Sequence, residues 1–469
     1  MKQKKLLLLG LLMATNTSLL AGTVRMKTGK AVGETFSFAV NTGLPLTLTW
    51  GNGTSEEVTS TGQLQSVAIK DATLQIGCEQ DITALYVADN GLTELNVSGI
   101  ASTLRTLCCA NNQLTALSLA GCTNLVALDC QGNQLTTLSV PSVKMQDLNI
   151  ADNQLSTHGL TTTSNLLSMV CANNKISTVS YLANMTKLTS LFCQGNQIST
   201  LSLNRNVNLK HLLAYGNKIR TLTFKSTSTG NTDPGLTTLE DLWISDNQLS
   251  TIDISDQTAL VGLVAANNGL GSITWFPYSN STARSRFKYL DISDNMLCFS
   301  SLPNVYSTLS GSYTIDGAVA PQKEYALLGN IQVNEPTSDD FKALIARSAW
   351  NTATRAEVKL TAGGTELQKD VDYKYDNSSP TAEASYRLTF LTAPHENVVL
   401  TLTSPNYPGL EIVSLPFNVL GDPSGIDTVE SSAELDGNAR IYDLQGRLMD
   451  ASSLKKGIYI VNGKKVIIR

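Results

Sequence analysis

Residues 104–135 read LRTLCCANNQLTALSLAGCTNLVALDCQGNQL. The stretch contains two copies of one pattern, in which apolar residues stand at fixed distances from an asparagine. A leucine lies five residues before Asn112 and another lies two residues after it, and Asn133 has the same neighbours. A single copy is too short to bury its own leucines, so we predict that each copy is one coil of a solenoid and packs against the next.

The same frame recurs along the middle of the chain. It surrounds ten asparagines: Asn90, Asn112, Asn133, Asn153, Asn174, Asn196, Asn217, Asn247, Asn268 and Asn295. Most intervals are 20 to 22 residues, with longer ones of 30 before Asn247 and 27 before Asn295. An amide at this point can bond backbone groups of its own coil and the next coil, which would cost about 1–3 kcal/mol each if buried unpaired. We therefore interpret the asparagines as scaffold.

The pattern LxxLxCxxNxL resembles bacterial leucine-rich proteins of the internalin class. Four cysteines share the position three residues before the asparagine, which resembles the internalin J branch: Cys109, Cys130, Cys171 and Cys193. Ile, Val or Ala fills that position elsewhere, so we favour buried thiols that act as small apolar side chains. A strand spacing of about 4.8 Å leaves a bridge between neighbouring coils possible by distance. The spacing matches no zinc site.

The first residues have the composition of an export signal. Lys2, Lys4 and Lys5 precede an apolar run at 6–13, and a small-residue exit follows at 19–22. We predict a cleaved signal peptide at 1–21, because the run is too short to span a bilayer.

The remaining chain divides by its periodicity into four predicted parts. They are an N-terminal β cap at 22–75, repeats with their closure at 76–322, an immunoglobulin-like β-sandwich at 323–420, and a linker with a small β module at 421–469. The predicted fold is mainly β: a leucine-rich-repeat solenoid with a parallel concave sheet and an extended or 3₁₀ convex side, followed by the sandwich and the module. A hairpin is expected at the Gly51–Thr54 turn, and loops are expected at 225–235 and 275–287.

The last segment resembles a type IX secretion C-terminal sorting domain. The resemblance is carried by residues 441–447, IYDLQGR, and 454–461, LKKGIYIV. It implies passage across the outer membrane of a Gram-negative bacterium and a final location on its surface or outside the cell.

Several functional classes are disfavoured by the sequence. The net charge is −5 and no block of Lys and Arg is present, which argues against nucleic acid as a partner. The three histidines, His158, His211 and His395, lie far apart, and no hydrolase, metalloprotease or nucleotide-binding motif appears. Asp291 and Asp294 lack the spacing of a calcium loop. We therefore expect no enzyme, no metal and no cofactor.

The candidate binding site is the concave face. The residue four before each asparagine should face it, and five consecutive apolar ones do so: Val170, Phe192, Leu213, Trp243 and Val264. His211, Tyr215 and Asp241 should lie beside them. Exposed apolar stripes with aromatic residues mark binding surfaces, which predicts a cell-surface recognition or adhesion protein with a protein or glycan partner. The alternative is that another part of the chain or a neighbouring molecule covers the stripe, as in a structural or self-associating component of a surface layer or biofilm.

Overall fold

The computed structural model describes the greater part of the chain. The described residues are 22–42, 44–156, 163–225, 236–277, 279–302, 316–324, 330–334, 356–375, 387–405, 407, 409–421, 426–429, 440–443, 447–450, 454–461 and 464–468. The chain divides into two compact units, Met1–Gln248 with Asp256–Leu260, and Leu249–Ser255 with Val261–Arg469. The predicted signal peptide lies outside the described residues.

The first unit begins with antiparallel strands. The strands up to the second repeat are β1 Gly22–Thr28, β2 Thr35–Val40, β3 Pro45–Trp50, β4 Ser55–Thr59, β5 Gln65–Ala68, β6 Thr73–Cys78, β7 Ala84–Tyr86 and β8 Leu92–Asn96. One sheet has the order β4-β3-β6-β1-β8. The predicted hairpin is confirmed, since β3 and β4 pair antiparallel across the turn. Strict alternation in β2 and β3 buries Phe36, Phe38 and Trp50 on one side.

The repeats of the first unit form a parallel sheet. Their strands are β9 Thr106–Cys108, β10 Ala127–Asp129, β11 Asp147–Asn149, β12 Ser168–Val170, β13 Ser190–Phe192, β14 Thr200–Ser202, β15 His211–Leu213, β16 Thr221–Thr223 and β17 Asp241–Trp243. The sheet order is β5-β2-β7-β9-β10-β11-β12-β13-β15-β17. Strand β2 pairs antiparallel with β7, so the N-terminal segment continues the sheet. The return path of the coils contains the parallel pair β14-β16 and 3₁₀ helices at Ser98–Ile100 and Ser180–Asn184, as predicted.

The repeat asparagines are buried and tie neighbouring coils together. Asn112 Oδ1 accepts a hydrogen bond of 2.9 Å from the backbone N–H of Leu92. Its Nδ2 donates to the carbonyl of Cys109 in its own coil at 2.9 Å and to that of Val87 at 3.0 Å. The coil that Asn112 reaches is therefore the preceding one, and our prediction of the next coil was wrong. Val87 directly follows β7 of the preceding coil, so the amide of Asn112 reaches the end of that strand.

A second residue of the turn has a special backbone conformation. The residue before each asparagine has positive φ, between 51° and 66°: Asp89, Asn111, Gly132, Asp152, Asn173, Gly195, Gly216, Asp246, Asn267 and Asp294. Only Gly, Asn and Asp adopt this left-handed conformation at low cost. The turn therefore restricts this position to three residue types.

The second unit contains the last repeats. Their elements are β18 Thr251–Asp253, β19 Gly262–Val264, β20 Ser272–Thr274, the helix α1 Ser281–Arg286, β21 Tyr289–Asp291, a 3₁₀ helix at Phe299–Ser301 and β22 Asp316–Ala318. Strands β19, β21 and β22 are parallel neighbours. After β22, Gln322 takes the asparagine role, because its Oε1 accepts from the backbone N–H of Leu297 at 3.0 Å and its Nε2 donates to the carbonyl of Ile292 at 2.9 Å.

The prediction of a plain loop at 275–287 was wrong. Asn280 accepts a hydrogen bond from the N–H of Ala283 at 3.0 Å and begins the six-residue helix α1. Trp275, Phe276 and Phe287 are buried around it, with ring centroids 5.8 to 6.4 Å apart. Aromatic burial therefore orders this segment. In the other predicted loop, residues 226–235 lie outside the described residues.

A sheet that is antiparallel except for the parallel pair β23-β30 follows the repeats in the second unit. Its strands and their neighbours are β23 Ile331–Gln332, β24 Glu357–Ala362, β25 Thr365–Glu366, β26 Tyr373–Tyr375, β27 Leu388–Phe390, β28 His395–Thr403, β29 Ile412–Val413 and β30 Phe417–Leu420. The larger sheet has the order β23-β30-β28-β24-β25, with β29 on β28, and β26-β27 form a separate pair. Tyr407 stacks on Phe299 with ring centroids 5.3 Å apart. The immunoglobulin-like topology stays a prediction.

The last strands form a small sheet of their own. They are β31 Ile426–Val429, β32 Ile441–Tyr442, β33 Leu448–Met449, β34 Gly457–Val461 and β35 Lys464–Ile468, in the order β31-β35-β34-β32-β33. Ile441, Val461 and Val466 form its buried core. The sorting role of this module stays a prediction. Within the described ranges, no helix has the length and hydropathy needed to cross a membrane.

Candidate functional site

Each strand of the parallel sheet in the first unit buries its middle residue. In β13, Leu191 is buried while Ser190 and Phe192 on either side are partly exposed. In β15, Leu212 is buried between partly exposed neighbours in the same way. Because side chains alternate along a strand, the residues four and six before each asparagine lie on one side of the sheet. We call this side the sheet face.

Four of the predicted binding residues lie next to one another on the sheet face. Val170 is directly opposite Phe192, Phe192 is opposite Leu213, and Leu213 is opposite Trp243. All four side chains are partly exposed. Neighbouring strands are about 4.8 Å apart, so these four residues, the apolar patch, form a continuous row about 14 Å long. Val264 lies on β19 in the second unit.

Charged and aromatic residues lie beside the apolar patch, as predicted. His211 is in register with Asp241 on the next strand, and its Nδ1 lies 2.7 Å from Asp241 Oδ2. Lys210 and Glu240, one residue earlier on each strand, form an ion pair at 3.0 Å. Tyr215 is 38% exposed. The patch therefore has a polar rim along β15 and β17.

A second group on the sheet face was not singled out from the sequence. Asp129 on β10 and Asp147 on β11 lie on neighbouring strands, and we call the two the acidic patch. Burial raises the pKa of both carboxyl groups above the ordinary value. Burial also raises the pKa of Tyr86, and the nearby charges of Asp89 and Asp129 raise it further. Asp129 lies four residues before Asn133, and Asp147 lies six residues before Asn153. A search of these two repeat positions for charged residues would have found both.

The cysteine prediction is confirmed. Cys109, Cys130, Cys171 and Cys193 are unpaired and fully buried. Burial raises the pKa of the Cys193 thiol to about 12, and that of the other three lies above its ordinary value for the same reason. Thiols held protonated are poor nucleophiles and poor metal ligands, so their role here is packing.

The remaining histidines are His158 and His395. His158 lies outside the described residues, and His395 Nε2 lies 2.9 Å from Thr392 Oγ1 in the second unit. Among the residues that the structure describes, no three His, Cys, Asp or Glu side chains come together as a metal site.

The family of the repeats follows from their register, the buried asparagines and one sequence match. Residues 102–144 match the model of the family described as Leucine Rich repeats (2 copies). These coils are leucine-rich repeats. No curated protein matches the chain.

Several solved structures are similar in fold to the leucine-rich repeats. A leucine-rich repeat protein of Leptospira interrogans is 21% identical with a TM-score of 0.38, over 46% of this chain and 55% of its own. An internalin of Listeria monocytogenes is 21% identical with a TM-score of 0.33, over 52% of this chain and 82% of its own. The functional domain of InlJ from Listeria monocytogenes, which includes a cysteine ladder, is 19% identical with a TM-score of 0.24, over 74% of this chain and 93% of its own.

These likenesses are distant. The chain spans about half of the length of the Leptospira protein that it matches. At such identities and TM-scores, they carry no information on function.

Proposed function

We propose that this protein is an exported surface protein that recognises a protein partner through the sheet face of its leucine-rich repeats, as an adhesion or recognition factor. One observation carries the proposal. Val170, Phe192, Leu213 and Trp243 stand in register on four neighbouring strands and remain partly exposed. A contiguous apolar patch on a soluble surface is typical of a protein-binding site.

The composition of the patch supports a protein partner. Phe and Trp are enriched at the centres of protein interfaces, where a few residues supply most of the binding energy. The rim contributes the paired side chains of His211 and Asp241, 2.7 Å apart. Paired polar groups around an apolar centre exclude water from it and fix the orientation of the partner.

The surface location rests on sequence patterns. The basic and apolar segment at residues 1–21 has the composition of a signal peptide. The resemblance of residues 441–461 to a sorting domain points to delivery to the outside of a Gram-negative cell. Both properties suit a protein that meets its partner at a cell surface.

The test is binding of the full chain to epithelial and bacterial cells. The variant Phe192→Glu with Trp243→Glu places two charges in the apolar patch and is expected to reduce binding at least about tenfold, since each centre residue of an interface is worth about 2 kcal/mol. The matched control is Thr200→Glu with Thr221→Glu, at exposed positions on the pair β14-β16. This control should bind as the unmodified protein does.

Two results would overturn the proposal. Equal binding by the patch variant, with its circular dichroism unchanged, would place the recognition site elsewhere. No binding by any form, together with concentration-dependent association in light scattering, would favour a structural or self-associating surface component.

A further inference from the structure

We infer that the partner segment that covers the sheet face is a cationic polypeptide, with basic side chains over the acidic patch and apolar side chains over the apolar patch. The inference rests on the proposed function and adds the chemistry of the partner. It follows from how charge is distributed on the sheet face of the first unit and from the order of the strands that carry it.

The charge on this face has one sign. In the repeats of the first unit, the positions four and six before the asparagine hold three aspartates and no lysine or arginine. The aspartates are Asp129, Asp147 and Asp241. An interface brings complementary potentials together, so such a surface selects a positively charged partner and repels an anionic one.

The acidic patch has only neutral partners within the described chain. Asp129 Oδ1 accepts a hydrogen bond from the backbone N–H of Gln131 at 3.2 Å, and Asn149 donates a second one. No salt bridge among the described residues involves Asp129 or Asp147. Two cations directly precede strands of this face: Arg105, which is exposed and lies before β9, and Lys210, which lies before β15 and is paired with Glu240. Two half-buried carboxylates without a cation are the part of the face that a basic side chain would stabilise most.

The two patches adjoin in a fixed order. The acidic patch lies on β10 and β11, and the apolar patch continues on β12, β13, β15 and β17. At about 4.8 Å per strand, Asp129 and Trp243 are about 24 Å apart across the sheet, which an extended segment of about seven residues spans. The partner segment therefore carries its basic residues at one end and its apolar residues at the other.

An apolar partner without charge would complement the apolar patch but not the acidic patch. It would leave Asp129 and Asp147 further desolvated under the covering segment, which opposes binding. An acidic polymer would add repulsion to that desolvation. A cationic polypeptide is the occupant that both patches favour.

The experiment measures binding of three fluorescein-labelled peptides to the full chain by fluorescence anisotropy. The first has two Arg, a spacer of two Ser, and then Leu, Trp, Leu and Phe. The second replaces the two Arg with Glu, and the third keeps the first composition in scrambled order. The protein variants are Asp129→Asn with Asp147→Asn, and the matched control Glu94→Gln with Asp253→Asn, at exposed positions outside the sheet face.

The first peptide should bind at least about tenfold more tightly than the second, and more tightly than the third. The acidic-patch variant should lose at least about fivefold of this affinity, while the control stays within about twofold. Added salt at about 0.5 M should weaken binding to the unmodified protein more than to the acidic-patch variant, because salt screens exposed charge.

Three results would overturn the inference: equal or tighter binding of the Glu peptide, no effect of the acidic-patch variant, or no binding of any peptide. None of them decides the proposed function, which depends on whether Phe192→Glu with Trp243→Glu abolishes binding to cells. If that variant loses cell binding while the Arg and Glu peptides bind alike, the sheet face is a binding site and its partner is not cationic.

Discussion

Asn153 Oδ1 accepts a hydrogen bond of 3.0 Å from the backbone N–H of Leu135, which belongs to the preceding coil. The Nδ2 of the same side chain donates to the carbonyl of Cys130 in the preceding coil at 3.0 Å and to Ala151 in its own coil at 3.0 Å. All of these groups are buried. One side chain therefore satisfies the backbone of two coils and holds their strands, and with them the sheet face, in register.

Asn153→Ala should destabilise the protein strongly. The substitution leaves the N–H of Leu135 buried without a partner, which costs about 1–3 kcal/mol, and removes one of the two amide donors to the carbonyl of Cys130, which keeps Asn133. The free energy of unfolding in urea should therefore fall by about 2 kcal/mol. The control is Gln154→Ala, one residue later and exposed, which should change it by less than about 0.5 kcal/mol. Equal losses of stability from the two substitutions would show that the hydrogen bonds of the repeat asparagines do not stabilise the coils.

Gly132 tests the left-handed position before the asparagine. It has φ of 65°, and a Cβ there would collide with Asn111 Oδ1. Gly132→Val should lower the free energy of unfolding by at least about 2 kcal/mol, because a β-branched residue is strained at positive φ. Gly132→Asn should cost clearly less, since Asn occupies the same position in other coils and the Asn111 side chain can rotate. Both variants place a Cβ against the Asn111 side chain, but only Val adds the strain of a β-branched residue at positive φ. The difference between their thermal midpoints therefore measures that strain.

Asp129→Asn should stabilise the protein at neutral pH. Burial raises the pKa of the Asp129 carboxyl above the ordinary value of 3.8, so the folded state binds this proton more tightly than the unfolded state does. The stability of the folded state is then greatest below that ordinary value and decreases as the pH rises through the folded-state pKa. Asn keeps the hydrogen-bond acceptor and removes the charge.

The gain in thermal midpoint from Asp129→Asn should therefore be present at pH 7 and shrink as the pH is lowered toward 3.8. Asp253→Asn, at an exposed strand position, serves as the control and should show little change. A loss of stability at pH 7 in the Asp129 variant would mean that the carboxylate is stabilised by a partner and not desolvated.

Substitutions of Cys130 test whether the four buried cysteines of the repeats stabilise the protein by packing. The Cys130 thiol is fully buried and unpaired. Cys130→Ser should cost about 1–3 kcal/mol because it buries a hydroxyl in an apolar slot, while Cys130→Ala should cost less although Ala is smaller than Ser. Urea unfolding of both variants measures the difference. The opposite order would indicate that the slot is polar, or that filling its volume matters more than its polarity.

The repeat sheet could be predicted from the sequence because ten coils repeat the same constraint. Leu128, Leu148 and Met169 share a position that only burial explains, and their alternation with partly exposed residues then fixes which side chains share a face. The same alternation places Phe192, Leu213 and Trp243 together on neighbouring strands. The register argument works because a parallel sheet with one residue set buried leaves no freedom to slip.

The features that were missed depend on single residues or on charge. Gln322 makes the hydrogen bond that a repeat asparagine makes elsewhere, although its side chain is one methylene longer. A search of the sequence for asparagine therefore does not find this coil. The helix α1 is too short for its periodicity to show in the sequence, and the residues on either side of it, Trp275 and Phe287, are buried with their rings 6.1 Å apart. The desolvation of Asp129 and Asp147 depends on side chains of neighbouring strands and becomes visible only in three dimensions.

The most direct test of the central claim is photo-crosslinking from two positions of one coil. A benzophenone amino acid replaces Leu213 on β15 of the sheet face, or Thr221 on β16 of the return path, in the full chain, and both proteins are irradiated on intact cells. A sheet-face binding site predicts a discrete adduct from position 213 that disappears when Phe192→Glu and Trp243→Glu are added, with none from position 221. Equal adducts from both positions, or an adduct from 221 alone, would contradict it.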